Sequence, residues 1–242
     1  MRGAYEDRME PSTLKPGDDH YRAYVGPPLE YDLVGASQFR LLVALGLRAH
    51  HRCLDVGCGS LRAGRLLIPW LEPDHYRGIE PNAWLVDAGI EHELGREIVR
   101  LKRPRFDHND QFDCAVFGHS FDFIIAQSVL SHTGGALFQK AIRNMAAALE
   151  AGGVIVATFV LPERKPKAPH GLEVEGWIYP GVASFTAEQV EQICRSAGLV
   201  MRLIPWRHPR QQWFIAGIDD SALPPPEFDV HLIGETIDRP ER

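Results

Sequence analysis

The run Leu54-Asp55-Val56-Gly57-Cys58-Gly59 constrains this chain more than any other feature. A short apolar segment enters a glycine turn without a spacer, and Arg65–Leu71 after it reads as a helix. Gly57 and Gly59 permit backbone conformations and close ligand approach that a Cβ would block. A strand, a tight turn and a helix in that order deliver a ligand to the carboxyl end of the strand, where open α/β sheets place their sites.

The remainder of the chain continues the alternation. Arg52–Val56, Tyr76–Ile79, Phe121–Ala126, Val154–Val160, Leu199–Ile204 and Trp213–Ile218 read as strands, with a weak additional one near Cys114–Phe117. Helical spacing of apolar residues begins at Tyr31 and recurs over Asn82–Leu94, Leu137–Leu149 and Thr186–Ala197. Gly152-Gly153 marks the end of the Leu137–Leu149 helix, and residues 96–120 read as irregular; Thr186 is the expected N-cap of the last helix and Gly198 its stop. Such alternation predicts a parallel sheet covered by helices on both faces, a doubly wound α/β fold. Residues 1–32 are polar and rich in breakers and read as an arm or lid. Residues 33–218 carry the domain, and 161–184 is a long insertion. Residues 219–242 form a Pro-rich, acidic tail without expected structure.

Glu80, at the end of the second strand, is placed to accept two hydrogen bonds from a ribose diol. A dinucleotide site would want a third small residue in the turn, to let helix and strand pack closely, but Arg62 stands there. The implied ligand therefore has a ribose and no pyrophosphate. S-adenosylmethionine meets that description; a purely structural glycine turn is the alternative.

The segments LDVGCGSLRAGR, GIEPNAWLVDAG, FDFIIAQSVLSH and LEAGGVIVATF, in this order and spacing, resemble the class I S-adenosylmethionine-dependent methyltransferases over residues 33–218. The resemblance implies a mostly parallel, seven-stranded Rossmann-like sheet whose last strand is antiparallel. It also implies that Asp55, Gly57, Cys58 and Gly59 shape the cofactor turn and that Glu80 holds the ribose. Pro81 and Asn82 would then lie beside the adenine, and Ala126 and Gln127 near the methionine part. Arg62 would pair with the cofactor carboxylate or grip an anionic substrate. The segment 106–118 departs from the family pattern, and Phe112, Asp113 and Cys114 are its candidates for an adenine contact.

Methyl transfer from a sulfonium needs alignment above all, and a base where the acceptor is a hydroxyl or a protonated amine. His132, six residues beyond Ala126, is the first candidate base, with Ser131 and Thr133 as neighbours able to orient its ring; a backbone-bonding histidine is the bland reading. His20 and His170 stand in reserve. Tyr21 and Tyr24 in the arm, and His170, Trp177 and Tyr179 in the insertion, are candidate substrate contacts.

The expected activity is methylation of a hydroxyl on a small, sugar-like or secondary-metabolite acceptor. N-methylation and a non-catalytic binding or scaffold role are the alternatives. With 26 Lys and Arg against 32 Asp and Glu, the net charge of -6 offers no general footprint for nucleic acid. No apolar run is long enough to span a bilayer, so no membrane partner is expected. Four cysteines without CxxC spacing suit reduced thiols and a cytoplasmic setting, and no histidine or cysteine framework for a metal is visible. Oligomeric state is not legible.

Overall fold

The structure, a computed structural model, describes residues 13–233. The outer parts of the expected arm and tail, residues 1–12 and 234–242, lie outside the described residues. Seven strands form one sheet in the order β3-β2-β1-β4-β5-β7-β6. They are β1 (Cys53–Val56), β2 (Tyr76–Ile79), β3 (Arg105–Asp107), β4 (Phe121–Ala126), β5 (Leu149–Phe159), β6 (Val200–Ile204) and β7 (Gln212–Gly217). The helices around it are α1 (Tyr21–Tyr24), α2 (Tyr31–Ala44), α3 (Gly64–Trp70), α4 (Ala83–Gly89), α5 (Arg96–Lys102), α6 (Gly135–Ala147) and α7 (Ala187–Ser196). The expected Rossmann-like α/β fold is present.

Two compact units make up the chain. One holds the residues up to Arg40 and Arg48–Asp110; the other holds Leu41–Leu47 and the residues from Gln111 onward. In the first unit, β1, β2 and β3 are parallel, and Val56 is in register with Ile79 and Ile79 with Asp107. All residues of β1 and β2 are buried, as expected for strands covered on both faces. This register brings Gly57, Glu80 and His108, each one residue past its strand, to one level.

In the second unit β4 and β5 are parallel, while β7 runs antiparallel to both β5 and β6. The strand directions agree with the expected antiparallel last strand. Helix α7 starts as its sequence predicts. Thr186 Oγ1 accepts from the Gln189 N–H, and the Gln189 side chain accepts from the Thr186 N–H, closing a capping box.

Several expectations need correction. The third strand is Arg105–Asp107, whereas Cys114–Phe117 is a 3-10 turn capped by Asp113. A three-residue strand with an exposed Arg105 has no apolar run to announce it. The helix expected over Asn82–Leu94 is α4 followed by a π turn at Ile90–Leu94, and residues read as irregular form α5. Gly152-Gly153 does not mark a helix end but lies inside β5, in the register irregularity between the Phe121–Leu149 and Phe123–Val154 pairs. The described part of the tail has two 3-10 segments, Asp220–Ala222 and Pro226–His231, and Asp229 pairs with Arg202 of β6.

Replacing Thr186 by Ala removes the side-chain half of the capping box and should lower unfolding free energy by about 1 kcal/mol in urea titration. Thr186→Ser should retain most of that stability.

Candidate functional site: the glycine turn and the His132 loop

In the first unit the β1 turn is held by its own backbone. The N–H groups of Gly57 and Cys58 both donate to the Ile79 carbonyl, at 2.7 and 3.1 Å. The Gly59 N–H donates to Glu80 Oε2 at 3.1 Å. Gly57 and Gly59 have φ of 71° and 54°, the left-handed region where a side chain would strain the chain.

Glu80 is the hub of this arrangement and is only 7% exposed. Its Oε1 accepts from both the backbone N–H and the side-chain amide of Asn82, each at 2.9 Å. Its carbonyl meets His108 Nδ1 at 2.7 Å, and its N–H donates to the Asp107 carbonyl at 3.0 Å. Burial pushes the Glu80 carboxyl above the usual range, against the hydrogen bonds from Asn82 and Gly59.

Asp55 does not face the turn alone. Its Oδ2 accepts from the Tyr76 hydroxyl at 2.9 Å, in full burial. Burial pushes its carboxyl up to about 6, with the Tyr76 hydrogen bond and the Arg62 charge opposing the shift and Glu80 adding to it. Cys58 is buried, and a Cβ on Gly78 would come 2.8 Å from its Sγ, so β2 needs a glycine there.

The arm does not trail away from this unit. His20 caps α1 by accepting the Arg22 N–H on Nδ1 at 3.2 Å. Ser60 Oγ donates to the Tyr21 carbonyl at 2.8 Å, and Arg62 Nη1 to the Val25 carbonyl at 2.7 Å. Arg62 is thus engaged with the arm. Tyr24 hydrogen-bonds Asn82 and lies within the field of Glu80, with its ring edge-on to Trp84 at 5.3 Å.

In the second unit His132 ends a 3-10 turn, Leu130–His132, shortly after β4. Its Nδ1 lies 2.6 Å from the Gly181 carbonyl, and only a protonated Nδ1 can make that bond. Nε2 is therefore the lone-pair nitrogen. Burial lowers the His132 pKa, opposed by the Gly181 bond and aided by Lys165. The insertion is tied to this turn through the backbone: Ile178 N–H to the His132 carbonyl, Gly134 N–H to Gly176, and Ala183 N–H to Ser131. Tyr179 meets the His132 ring edge-on at 5.0 Å, and Trp177 stacks on Phe112 at 5.1 Å.

Gln127, just past β4, pairs with His208 at 3.0 Å. His208 Nδ1 accepts two backbone N–H groups, from Arg210 and Gln211, so its proton sits on Nε2. The Gln127 carbonyl oxygen is the group that suits that donor. Gln211 reaches Ser128 Oγ at 2.7 Å and Ser131 Oγ at 3.2 Å. Among the described residues, no group of three or more His, Cys, Asp or Glu could hold a metal ion.

Residues 54–155 match the family model of a methyltransferase domain. These residues are similar to a methyltransferase domain, and the sheet around them is Rossmann-like. No curated protein matches in sequence. Among solved structures, the methyltransferase CcbJ from Streptomyces caelestis superposes with a TM-score of 0.60 at 16% identity, over 79% of this chain and 96% of that one. CalS10 from Micromonospora echinaspora, an amino pentose methyltransferase involved in calicheamicin biosynthesis and solved with S-adenosylmethionine bound, gives 0.57 at 19% identity, over 78% and 92%. SpnF, a [4+2]-cyclase, gives 0.54 at 20% identity, over 74% of this chain and 62% of that one. At these identities the likeness is one of fold.

The fold brings Gly57, Cys58, Gly59, Glu80, Asn82 and Tyr24 together in one unit, and His132, Trp177 and Tyr179 in the neighbourhood of one loop in the other. Pro81 is exposed beside Glu80, and Ala126 is buried at the end of β4. His170 is not part of the His132 loop: its ring approaches Gln189 of α7. Ser131 and Thr133 do not orient the His132 ring. Ser131 Oγ receives Gln211, Thr133 Oγ1 donates to the Leu130 carbonyl, and the Gly181 carbonyl holds the ring instead. Tyr21 hydrogen-bonds Glu93. Asp113 is an N-cap and Phe112 the partner of Trp177, whereas Asp107 and His108 stand at the end of the true β3. The Asp-His-Asn-Asp turn after Phe106 was the available signal for them. His208 and Gln211 had none, since their partners are 80 or more residues away.

Asp55 has a clear pH signature. Its folded-state pKa lies above the ordinary value, so its contribution to stability is complete below about pH 4 and is lost as pH rises through about 6. Asp55→Asn does not titrate. Denaturant titrations from pH 4 to 7.5 should therefore show wild type losing stability relative to Asp55→Asn as pH rises to 6, then a constant difference. A difference independent of pH would contradict the assignment.

Proposed function

We propose that this chain is an S-adenosylmethionine-dependent methyltransferase acting on a hydroxyl of a small, sugar-like or secondary-metabolite acceptor, with His132 as general base. The observation that carries the cofactor reading is the state of the glycine turn. The N–H groups of Gly57, Cys58 and Gly59 are all spent on Ile79 and Glu80, which leaves none of the three for a phosphate. A buried carboxylate at the same place suits ribose hydroxyls and repels a ribose 2′-phosphate. These residues fit S-adenosylmethionine, with Glu80 on the ribose, Asn82 beside the adenine and Gly57–Gly59 against the ligand.

When bound, that cofactor supplies an electrophilic methyl group on a sulfonium. The chain's part is to bind, orient and take a proton. His132 suits the last task because the Gly181 carbonyl fixes Nδ1–H and leaves Nε2 as acceptor. Its lowered pKa keeps it neutral across the physiological range. Trp177 and Tyr179, both partly exposed on the insertion, offer ring faces to a sugar or aromatic acceptor. CalS10's action on an amino pentose supports an acceptor of sugar type. The net charge supports a small molecule over nucleic acid, and the four buried free cysteines support a reducing, cytoplasmic setting. Among the described residues no helix is long and apolar enough to cross a membrane.

SpnF, a [4+2]-cyclase on the same fold, supports a second reading in which the fold serves something other than methyl transfer and this chain holds S-adenosylmethionine without catalysis. Assay of labelled methyl transfer to a panel of hydroxylated sugars and phenols separates the two. With an acceptor found, His132→Gln should lower kcat by roughly 10²–10⁴-fold and leave S-adenosylhomocysteine affinity unchanged. The wild-type rate should hold as pH falls to the ordinary histidine range and decline only below it, since burial lowers the pKa. Turnover within a few-fold of wild type would make His132 structural.

Glu80→Ala should weaken S-adenosylhomocysteine binding by about 1.5–3 kcal/mol in calorimetry, because charge-assisted bonds to the ribose are lost. It should also lower Tm, since Gly59 and Asn82 lose their acceptor. A folded variant with wild-type affinity would move the ribose elsewhere.

A further inference from the structure

Residues 20–32 form a strap across the first unit, and its fastening is more elaborate than a tether needs. At one end Glu93, whose side chain is 5% exposed, takes Arg22 through Nε at 2.8 Å and through Nη2, the Tyr21 hydroxyl at 2.9 Å, and Arg65 at 3.6 Å. Asp32 bridges the same two arginines, at 3.3 Å to Arg22 and 2.7 Å to Arg65. Both guanidinium groups lie over the buried Tyr31 ring, 4.8 and 5.5 Å from its centroid, and the Tyr31 hydroxyl donates to the Ser60 carbonyl at 2.7 Å. At the other end Arg62 holds the Val25 carbonyl at 2.7 Å.

Between these two fastenings lie Tyr24 and Val25. A Cβ on Gly59 would come 2.6 Å from Val25 Cγ1, so the Val25 side chain covers the glycine of the turn directly. Tyr24 hydrogen-bonds Asn82, the same residue whose N–H groups hold Glu80 Oε1. Val25 thus covers Gly59, and Tyr24 stands beside Asn82, the partner of Glu80; Gly59 and Glu80 are the groups that the cofactor reading assigns to the ligand.

We propose that Tyr24 is a cofactor-contacting residue, carried over the ribose-binding carboxylate by a strap whose latch is the Arg22–Glu93 ion pair, so that the latch gates entry and release of the adenosyl ligand. This rests on the cofactor reading above and adds to it a binding residue and a gate. The geometry makes the two parts separable. Tyr24 and Val25 act on the bound ligand, whereas Arg22, Tyr21 and Glu93 act on how often the strap lifts. A mostly buried carboxylate serving two arginines and a phenol holds the strap shut most of the time, and weakening it leaves the contacts at Glu80 intact.

The test uses S-adenosylhomocysteine as probe, with affinity from calorimetry and rates from stopped-flow measurements on the full chain. Tyr24→Ala should raise Kd about tenfold, mainly through faster dissociation, and Tyr24→Phe by less, since only the hydroxyl is removed. Arg22→Ala and Glu93→Gln should speed association and dissociation together, several-fold each, and move Kd much less. If either latch variant fails to fold, Arg22→Lys serves instead: an ammonium cannot reproduce the two guanidinium contacts to Glu93, so both rates should rise, by less than in Arg22→Ala. Wild-type rates in Tyr24→Ala, measured beside a Glu80→Ala variant that has lost affinity, would overturn the proposal and leave the cofactor reading standing. Latch variants whose Tm falls while both rates stay at wild-type values would make the strap scaffold only. Failure of the wild-type protein itself to bind the probe would overturn the cofactor reading and the strap with it.

Discussion

One buried carboxylate organises the candidate cofactor side of this protein. Glu80 leaves the end of β2 and reaches both the β1 turn, through Gly59, and the start of α4, through Asn82. A carboxylate taken out of water is costly unless its lone pairs are engaged, and here three protein N–H donors engage it and leave room for a further donor. The shape of the turn, the entry of α4 and the position of Tyr24 all depend on that satisfaction. A ligand with hydroxyl donors can join this carboxylate; a ligand bearing phosphates meets a negative charge and no free amide among Gly57, Cys58 and Gly59.

The second unit solves a different problem. A long insertion after β5 could hold no neighbouring side chain in place if it moved independently of the sheet. Backbone bonds from Ile178, Gly176 and Ala183 to the 131–134 segment remove that freedom, and the carbonyl of Gly181 selects one tautomer of His132. The imidazole is presented with its basic nitrogen available by a main-chain acceptor. The neighbouring hydroxyls of Ser131 and Thr133 take other partners.

Much of this was legible from the chain alone. Phe121–Ala126 and Tyr76–Ile79 matched strands residue for residue, because both are short, largely apolar and buried runs, interrupted only by Asp122 and Arg77. Thr186 with Gln189 is a local signal, complete within four residues. The β3 strand was missed because three residues with one side exposed carry almost no hydrophobic pattern, and its neighbour pairing alone makes it a strand. Gly152-Gly153 misled for the converse reason: glycine usually stops a helix, but here the stop came at Ala148 and the glycines entered the following strand.

The sequence by itself determined the alternating α/β order, the glycine turn and the carboxylate that follows the second strand. Each is encoded within a window of a few residues, where backbone sterics and apolar spacing act directly. Tertiary structure alone decided that the polar arm becomes a strap, because its fastening needs Glu93 some 70 residues away. It alone decided that Arg62 serves Val25, that Gly181 orients His132 and that His208 meets Gln127. Hydrogen bonds and ion pairs of that range depend on distances that only the folded chain sets, and nothing in the spacing of residues along the sequence announces them.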